Sequence, residues 1–415
     1  MIDPMNPVPG APRFDGWRLV AAAAALQCLQ AGLLHAAFGA YVAVLVEERG
    51  WSKTALSGAA ALQSLEAAIL GPLLGWVIDR SGARRMIVAG IVIFALGFMA
   101  LSRIETIEGF YAAIVVIAVG ASFSGYFPLT VAVVQWFERK RARALSAMGF
   151  GMAAGGLAVP MVAWSMQTFG WRATAFGSGL VLLVVGLPLA LAIKSRPEDH
   201  GQAPDGLPPA PPPAEGLTVP TGQREFTARE ALRTRAFWLL ALGHGVALLV
   251  VTAVNVHAIT HLKEGLGYSV AHASFFIMLM TVGQAAGVGL GYLIGDRFEK
   301  RYVAAWCMLM HAVGLLMLTY ASGPFMLMVF AALHGVAWGL RGPFMQAIRA
   351  DYFGRHAIGM IMGLSAAIIA LGQIGGPLVA GAMADAFGNY RAGFTLLALV
   401  AAAGSLLFVM ARKPG

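Results

Sequence analysis

The sequence predicts an all-α integral membrane protein in which twelve transmembrane helices form two pseudo-symmetric six-helix bundles. Three observations predict this fold class. Hydrophobic residues make up 59% of the 415-residue chain and charged residues 12%, a composition far more apolar than that of soluble domains. Twelve apolar runs are long enough to cross a bilayer, which takes about 20 residues in a helix. A charged loop motif also occurs twice, about half a chain apart, which indicates two structural repeats.

The apolar runs alternate with polar segments along the whole chain. Their predicted limits are 17–46, 54–79, 84–103, 107–137, 142–168, 171–193, 236–262, 268–295, 302–321, 324–350, 357–385 and 392–411. A longer polar segment follows the sixth run and divides the series into two sets of six. We therefore expect an N-terminal tail over 1–16, a first bundle over 17–193, a linker over 194–235, a second bundle over 236–411 and a tail over 412–415.

The linker is rich in proline, with eight prolines between residues 194 and 222. Proline at this density favours an extended, solvated chain, because it cannot form a regular helix. The pattern Thr227-Ala-Arg-Glu230 then predicts a capping box at the start of a short amphipathic helix. A passive tether is the expected role of the linker, and signalling by a ligand sensor is the alternative.

Basic residues are distributed unevenly between the two faces of the predicted bundles. If the N-terminus is cytoplasmic, the inner segments hold 22 of the 29 basic residues, Arg349 among them, and the outer segments hold 6. The positive-inside rule then places both termini in the cytoplasm. The net charge of +9 is explained by topology, and no nucleic-acid partner is expected. Because arginine greatly outnumbers lysine and alanine and glycine dominate, as in GC-rich bacterial genomes, we expect a bacterial inner membrane.

The repeated loop motif begins in a glycine-containing helix and ends in a basic turn. The first copy reads Gly71-Pro-Leu-Leu-Gly75-Trp-Val-Ile-Asp79-Arg80-Ser-Gly-Ala-Arg84-Arg85. The second copy reads Gly291-Tyr-Leu-Ile-Gly295-Asp296-Arg297 and places its Asp-Arg pair about half a chain later. This order resembles the signature loop of the major facilitator superfamily of transporters, which joins the second and third membrane helices and recurs between the eighth and ninth.

The resemblance implies a mechanical role for both copies of the loop. In that family the loop's aspartate contacts the start of a helix from the other half and helps to hold one face of the transporter closed. Here this role falls to Asp79 and Asp296, and a carboxylate at a helix N-terminus is stabilising. The implied charged partners are Arg80, Arg84, Arg85 and Arg297. The alternative is a charged turn that only fixes topology.

A second resemblance concerns the start of the first helix, Phe14-Asp15-Gly16-Trp17-Arg18. It is similar to the acidic-Gly-Trp start found in monocarboxylate carriers and oxalate:formate antiporters, which implies a small organic anion as substrate. The charges that those proteins carry in the first, eighth and eleventh helices have no counterpart here. The corresponding stretches are uncharged around Phe38, Gln284 and Gln373. We therefore expect the carboxylate of a substrate to be held elsewhere.

Ionisable residues at membrane depth are costly unless they are paired or face water, so they indicate function. Glu66 is the carboxylate nearest the middle of a run, and Arg341 is the arginine well inside one. The planar guanidinium of Arg341 suits a carboxylate ligand, and the alternative is an internal ion pair. Glu66 is a candidate proton carrier because burial raises the pKa of a carboxyl group. The alternative is a fixed, hydrogen-bonded acid.

Further polar candidates follow from the resemblance, in which the first, fourth, seventh and tenth helices line the cavity. It favours Tyr126, Asn255 and His257 as substrate contacts beside Arg341, and His257 is a second candidate for the proton. His257 and His261 have the i,i+4 spacing of metal ligands. Since no third ligand is evident nearby, we expect no metal and no other cofactor.

These observations lead to one functional interpretation with defined alternatives. We expect a monomeric, bilayer-embedded secondary transporter that takes up a small organic anion, a monocarboxylate, together with a proton by alternating access. Export of an amphipathic or drug-like compound and organic anion exchange are alternatives within transport, and a membrane-bound ligand sensor is the alternative outside it. An enzyme is not expected, because the short loops carry no acid–base, nucleophile or phosphate-binding motif.

Overall fold

The computed structural model describes residues 14–36, 38–51, 56, 69–156, 159–207 and 224–415, which fold into α-helices joined by short loops. Eleven helical segments in this part of the chain are long and apolar enough to cross a membrane. Most of the predicted second run, 54–79, lies outside the described residues. The all-α membrane fold predicted from the sequence is confirmed.

The described residues between 14 and 207, called here the N half, form ten helices. Their bounds are α1 Gly16–Gln30, α2 Phe38–Arg49, α3 69–81, α4 Ala83–Leu101, α5 Ile107–Ser124, α6 Tyr126–Trp136, α7 Arg141–Gly156, α8 Val159–Phe169, α9 Trp171–Val181 and α10 Leu187–Ala192. Short π-helical turns lie between α1 and α2 and between α9 and α10. Two spans are therefore interrupted α-helices, namely α5 with α6 and α9 with α10.

Residues 224–415, called here the C half, contain seven helices. Their bounds are α11 Ala228–Leu232, α12 Arg235–Leu266, α13 Val270–Ile294, α14 Lys300–Thr319, α15 Pro324–Phe353, α16 Ile358–Phe387 and α17 Arg391–Met410. Pro343 and Pro377 lie inside α15 and α16. Each helix continues past its proline, although proline removes one backbone donor.

Side-chain caps explain where several helices begin. Thr106, Thr234 and Ser269 each accept a hydrogen bond from the backbone N–H three residues later, at 3.1–3.2 Å. Such bonds satisfy one of the free donors of a first turn. At α11, Thr227 and Glu230 form the reciprocal pair of a capping box. The helix α11 is therefore short and begins with the predicted capping box.

Buried apolar side chains fall into two clusters. One cluster consists mainly of N-half residues, with Phe94 and Trp136 fully buried, and the other consists of C-half residues, with Phe237 and Phe330 fully buried. Most of the buried apolar side chains of each half therefore pack against helices of the same half.

One close contact between the halves joins α3 to α16 through glycines. A Cβ atom on Gly75 would lie 2.5 Å from the carbonyl oxygen of Gly359, and one on Gly363 would lie 2.3 Å from that of Gly71. These distances are below any tolerable contact, so only glycine permits the two backbones to approach so closely. The glycines of the repeated motif thus serve a contact between the halves.

Candidate functional site

Arg341 lies near the middle of α15, the helix that runs from Pro324 to Phe353. The side chain is 1% exposed, and its Nε and Nη1 atoms have no hydrogen-bond partner in the described part of the chain. No described carboxylate pairs with it within ion-pair distance. A buried cation in this state is destabilising unless a further group supplies acceptor atoms. Arg341 therefore has the properties of a residue that binds an anion.

A second arginine on the same helix, Arg349, is also 1% exposed. Its Nη1 donates to the carbonyl oxygen of Met345 at 3.0 Å and to Oε1 of Gln346 at 3.3 Å. Its Nη2 lies 3.1 Å from Nδ1 of His244 on α12. Because a guanidinium can only donate, Nδ1 of His244 accepts, and the ring is neutral with its hydrogen on Nε2. The positive charge of Arg349 is thus stabilised by neutral acceptors, with no carboxylate partner among the described residues.

Tyr126 brings the N half to this cluster. It begins α6 directly after Gly125, where a Cβ atom would lie 2.5 Å from both the Ala121 carbonyl oxygen and Oε1 of Gln30. The break between α5 and α6 therefore requires glycine and sets the direction of Tyr126. The Tyr126 phenol lies within electrostatic reach of the guanidinium groups of Arg341 and Arg349. Helices of both halves thus meet at one polar cluster with an excess of positive charge.

His257 occupies a different place. Its Nε2 donates to the carbonyl oxygen of Pro377 at 3.0 Å, and its Nδ1 lies 3.2 Å from the Tyr390 hydroxyl. His261, one turn later, donates to the carbonyl oxygen of Leu318. Both histidines therefore join helices within the C half. The described residues contain no group of three potential metal ligands.

Two other predicted site residues are not part of the cluster as described. Asn255 is exposed on α12, and no bond joins it to Arg341 or Tyr126. Glu66 lies outside the described residues. The structure thus brings together Arg341 and Tyr126 of the predicted set, and it places His257 elsewhere.

The two loop aspartates cap helices of the opposite half. Asp79 accepts hydrogen bonds from the backbone N–H groups of Gly359 and Met360 at 2.9 and 2.7 Å, at the start of α16. Asp296 accepts from those of Ala142 and Arg143 at 3.0 and 3.2 Å, at the start of α7. These contacts lie on the face that also carries both described chain ends, called here the basic face. In this structure the two halves are closed against each other at the basic face.

The ion pairs around these loops differ from those implied by the resemblance. Lys300 bridges Asp296 and Asp351 at 2.8 and 2.7 Å, and Arg141 pairs with Asp351 at 2.7 Å. By contrast, Arg80 lies over the ring of Trp76. The exposed arginines Arg84, Arg85 and Arg297 form no ion pair with the loop aspartates. The charged partners that reinforce the closed face are therefore Lys300 and Arg141.

Arg355 forms a further bridge between the halves. Its Nη1 donates to the Gln135 carbonyl oxygen at 2.7 Å, and the Gln135 side chain donates to the Arg355 carbonyl oxygen at 2.9 Å. Its side chain also pairs with Glu138 and Glu198 at 3.2 and 3.1 Å. Closure of the basic face thus depends on reciprocal polar contacts.

Sequence reasoning missed Arg349, His244 and the buried histidines His311 and His334. The sequence alone places Arg349 in an inner loop because the apolar run ends near residue 350, but α15 continues to Phe353 and buries it. The available signal was the spacing of Arg341 and Arg349, which places both within about 80° on one side of a helix. His244, His311 and His334 are single polar residues in apolar runs, so only their partners distinguish them.

Comparison with known proteins identifies the family. The family model described as Major Facilitator Superfamily matches residues 20–257 and 240–415. Human Monocarboxylate transporter 11 is 27% identical, with 98% of this chain and 85% of that protein covered. The Glycerol-3-phosphate transporter of Bacillus subtilis (strain 168) is 24% identical, with 86% of this chain and 84% of that protein covered.

A solved structure supports the same assignment at the level of the fold. The human organic anion transporter MFSD10 (TETRAN) superposes with a TM-score of 0.69 at 17% identity, covering 96% of this chain and 100% of that chain. Because the family model extends over nearly the whole sequence and the fold agrees, the chain belongs to the Major Facilitator Superfamily.

Proposed function

We propose that the protein is a secondary active transporter that moves a small organic anion, a monocarboxylate, together with a proton by alternating access. The observation that carries this proposal is the unpaired Arg341 guanidinium, buried near the centre of α15 with two unpartnered nitrogen atoms among the described contacts. A carboxylate that visits the site would supply the missing acceptors through charge-assisted hydrogen bonds. Substrate binding would then relieve the cost of the buried charge.

The proposed anion site consists of Arg341 and Tyr126, with Arg349 and His244 beside them. Arg341 lies in the C half and Tyr126 in the N half, so an anion between them would contact both halves. A transporter needs such a site, because the bound substrate must favour the movement of one half against the other. Arg349 adds a second positive charge, and its bond to His244 holds that charge in place.

The relatives support an anionic substrate. One is named for monocarboxylate transport and another for glycerol 3-phosphate transport. Monocarboxylates and glycerol 3-phosphate are both small and negatively charged at neutral pH. The excess positive charge of the proposed site agrees with this shared chemistry.

The closed basic face supports the alternating-access part of the proposal. Asp79 and Asp296 each hold a helix of the other half, and these contacts must break for the basic face to open. Such bonds at a helix N-terminus are each worth about 0.3–1 kcal/mol, so they can be made and broken during a cycle. We propose that the basic face is cytoplasmic, that both termini lie there, and that the monomeric protein resides in a bacterial inner membrane.

The test is uptake of labelled lactate by purified protein in lipid vesicles, with and without an inward proton gradient. Wild-type protein should accumulate lactate when the gradient is present, and Arg341→Ala should reduce uptake by about a hundredfold. Arg412→Ala is the matched control, because Arg412 is exposed on the C-terminal tail. Uptake that ignores the gradient but requires internal lactate would support exchange instead. Uptake that is equal in wild type and Arg341→Ala rejects the proposed anion site.

A further inference from the structure

Two buried histidines face each other outside the proposed anion site. His311 on α14 and His334 on α15 are both fully buried, and their Nδ1 atoms are 3.2 Å apart. The ring centroids are 4.4 Å apart, with the ring planes at 69°. At this distance one Nδ1 carries a hydrogen and donates it to the lone pair of the other. The pair is therefore a hydrogen-bonded imidazole dimer.

The remaining ring nitrogens decide what this dimer can do. The Nε2 atoms of both rings have no hydrogen-bond partner in the described part of the chain. In the neutral dimer, the ring that donates from Nδ1 has a free lone pair on Nε2, and the ring that accepts has its hydrogen there. The dimer thus offers one free basic atom. A proton added at that atom would make the bond between the rings charge-assisted and hence stronger.

Other described histidines of the C half lack this feature. His257 has both ring nitrogens within hydrogen-bond distance of Pro377 and Tyr390. In His244, Nδ1 accepts from Arg349. His261 uses its Nε2 to donate to a backbone carbonyl oxygen. The pair formed by His311 and His334 is distinguished by two fully buried rings with open Nε2 atoms.

The charges around the pair connect it to the anion site. Arg341 lies two helical turns after His334, so both lie on the same side of α15. Its charge acts on both histidines and on Cys307, which precedes His311 by one turn. The helices packed against α14 and α15 also carry ionisable residues, but the charge that acts on both rings is that of Arg341, on α15 itself. The ionisable residues on those packed helices are Tyr126, Arg141, Arg143, Arg235, His244, His257, His261, Lys263, Glu264, His272, Tyr292, Asp385 and Arg391.

We propose that His311 and His334 form the proton site of the transporter, an assignment that rests on the proposed anion–proton symport. With the anion site empty, the Arg341 charge opposes protonation of the pair. An anion bound at Arg341 cancels that charge, so a proton from solution can bind at the free Nε2. No other bond forms or breaks. Anion and proton therefore bind together, and the loaded site gains no net charge.

The test compares two transport modes in lipid vesicles with labelled lactate. Accumulation driven by a proton gradient requires proton binding and release, whereas counterflow exchanges internal for external lactate without them. In the double variant His311→Gln with His334→Gln, glutamine keeps polar atoms at both positions but has no group that binds or releases a proton near neutral pH. We expect this variant to lose accumulation by at least about tenfold and to keep counterflow within about twofold of wild type. His261→Gln is the matched control and should keep both modes.

Three results distinguish the possible failures. If the double variant still accumulates lactate against its gradient, the proton-site assignment is overturned. If it loses counterflow and accumulation together, the pair has a structural role, and the single variants His311→Gln and His334→Gln decide whether either one separates the two modes. If wild-type protein shows no counterflow while its melting transition is normal, the proposed function fails, and this assignment fails with it. Proton uptake on lactate binding, followed with a pH-indicator dye, should be present in wild type and absent in the double variant.

A separate set of contacts concerns the linker. Asp205 accepts hydrogen bonds from the backbone N–H groups of Glu138 and Arg139 at 3.0 and 2.7 Å. Glu225 accepts from those of Arg355 and His356 at 2.7 Å each. The offset along the chain between these two pairs of donors equals the offset between Asp79 and Asp296. The two ends of the linker therefore bind equivalent loops of the two halves.

The linker also crosses between the halves. Glu198, near its start, pairs with Arg355 of the C half at 3.1 Å. Among the described residues other than glycine, Asp205 has a positive φ, at 58°. This backbone conformation is unfavourable for a non-glycine residue and persists only where contacts stabilise it. We infer that the described linker residues act as a strap that stabilises closure of the basic face. Asp205 and Glu225 hold the two loops whose Glu138 and Arg355 form an ion pair across the halves, and Glu198 adds a second ion pair to Arg355.

Spin-label distances test the strap in vesicles. Labels at Arg84→Cys and Arg412→Cys, with Cys28 and Cys307 replaced by alanine, report the separation of the halves at the basic face. Combined Asp205→Asn and Glu225→Gln should increase the open fraction about tenfold or more. The control Asp199→Asn changes an exposed linker carboxylate and should leave the distances unchanged. An unchanged distribution in the double variant overturns the strap.

Discussion

Asp79 and Asp296 make equivalent contacts in opposite directions between the halves. Each carboxylate accepts two backbone hydrogen bonds from the first turn of a helix in the other half. The offset along the chain between the two carboxylates equals that between their donors, since Ala142 and Arg143 correspond to Gly359 and Met360. The internal repeat is therefore visible in individual hydrogen bonds. The two contacts differ in their surroundings, since Lys300 adds an ion pair to Asp296.

This difference predicts unequal effects of the two aspartates. Asp79→Asn removes a negative charge that interacts directly with backbone N–H groups at the start of α16. We therefore expect the closed state to lose about 0.3–1 kcal/mol of stability. Asp296→Asn also leaves Lys300 with Asp351 as its remaining carboxylate partner among the described residues, so the loss should be larger. Spin-label distances across the basic face measure both effects. Equal shifts in the two variants would contradict the role given to Lys300.

The glycine contact between α3 and α16 gives a second prediction. In Gly75→Ala the new Cβ would lie 2.5 Å from the Gly359 carbonyl oxygen, so the two backbones must separate. We expect the closed state to be disfavoured and uptake of labelled lactate to fall about tenfold or more. Gly177→Ala is the matched control, because a Cβ there meets nothing within 4 Å. Full activity in Gly75→Ala would show that the close approach is dispensable.

Arg349 and Arg341 should differ in their importance for the substrate. Arg349 is held by Met345, Gln346 and His244 through both of its Nη atoms, and its Nε has no partner among the described contacts. In Arg341, both Nε and Nη1 lack a partner among those contacts. Arg349→Gln should therefore raise the KM for lactate by about tenfold, since a hydrogen bond to a charged group is worth about 1.5–3 kcal/mol. Arg341→Gln should reduce uptake by about a hundredfold. A larger loss in Arg349→Gln than in Arg341→Gln would reverse the proposed roles.

Asp15 links the start of α1 to the linker and makes stability depend on pH. Its carboxylate accepts from Lys194 at 2.7 Å and from Gln202 at 3.1 Å, and the hydrogen bond from Lys194 holds the pKa of Asp15 below its usual value. A carboxyl group whose pKa is lowered by folding contributes stability above its unfolded pKa and loses it as the pH falls through the folded pKa. Asp15→Asn should therefore lower the melting temperature at pH 7. The difference from wild type should shrink as the pH falls below about 4.

The melting curves for this comparison are best recorded in detergent between pH 7 and the lowest pH at which wild type stays soluble. Arg18→Gln serves as a control, because its side chain is 69% exposed and its contact with Asp15 is long, at 3.6 Å. A destabilisation by Asp15→Asn that stays constant with pH would show that the lost contact is not ionic.

The sequence was sufficient for the features that depend on composition and repetition. Apolar run lengths predict the spans, and the duplicated loop predicts that Asp79 and Asp296 act as a pair. Arg341 was identifiable because a cation inside an apolar run is rare. These signals are local, so they can be read without knowing which helices touch.

The rest depends on contacts between distant segments. Arg349 resembles a loop residue until α15 is seen to continue past it, and its burial depends on α12. The predicted contact His257 is bonded within the C half, because Pro377 and Tyr390 occupy both of its nitrogens. The pairing of His311 with His334 joins two different helices and leaves no periodic pattern in the sequence.

Direct binding of lactate to purified protein tests the central claim, which is that the buried Arg341 guanidinium is held for an anionic ligand. Isothermal titration calorimetry should show saturable binding to wild-type protein and to Arg412→Ala. The account predicts that Arg341→Ala, with a normal melting transition, binds at least about a hundredfold more weakly. Equal affinity in wild type and Arg341→Ala would contradict it.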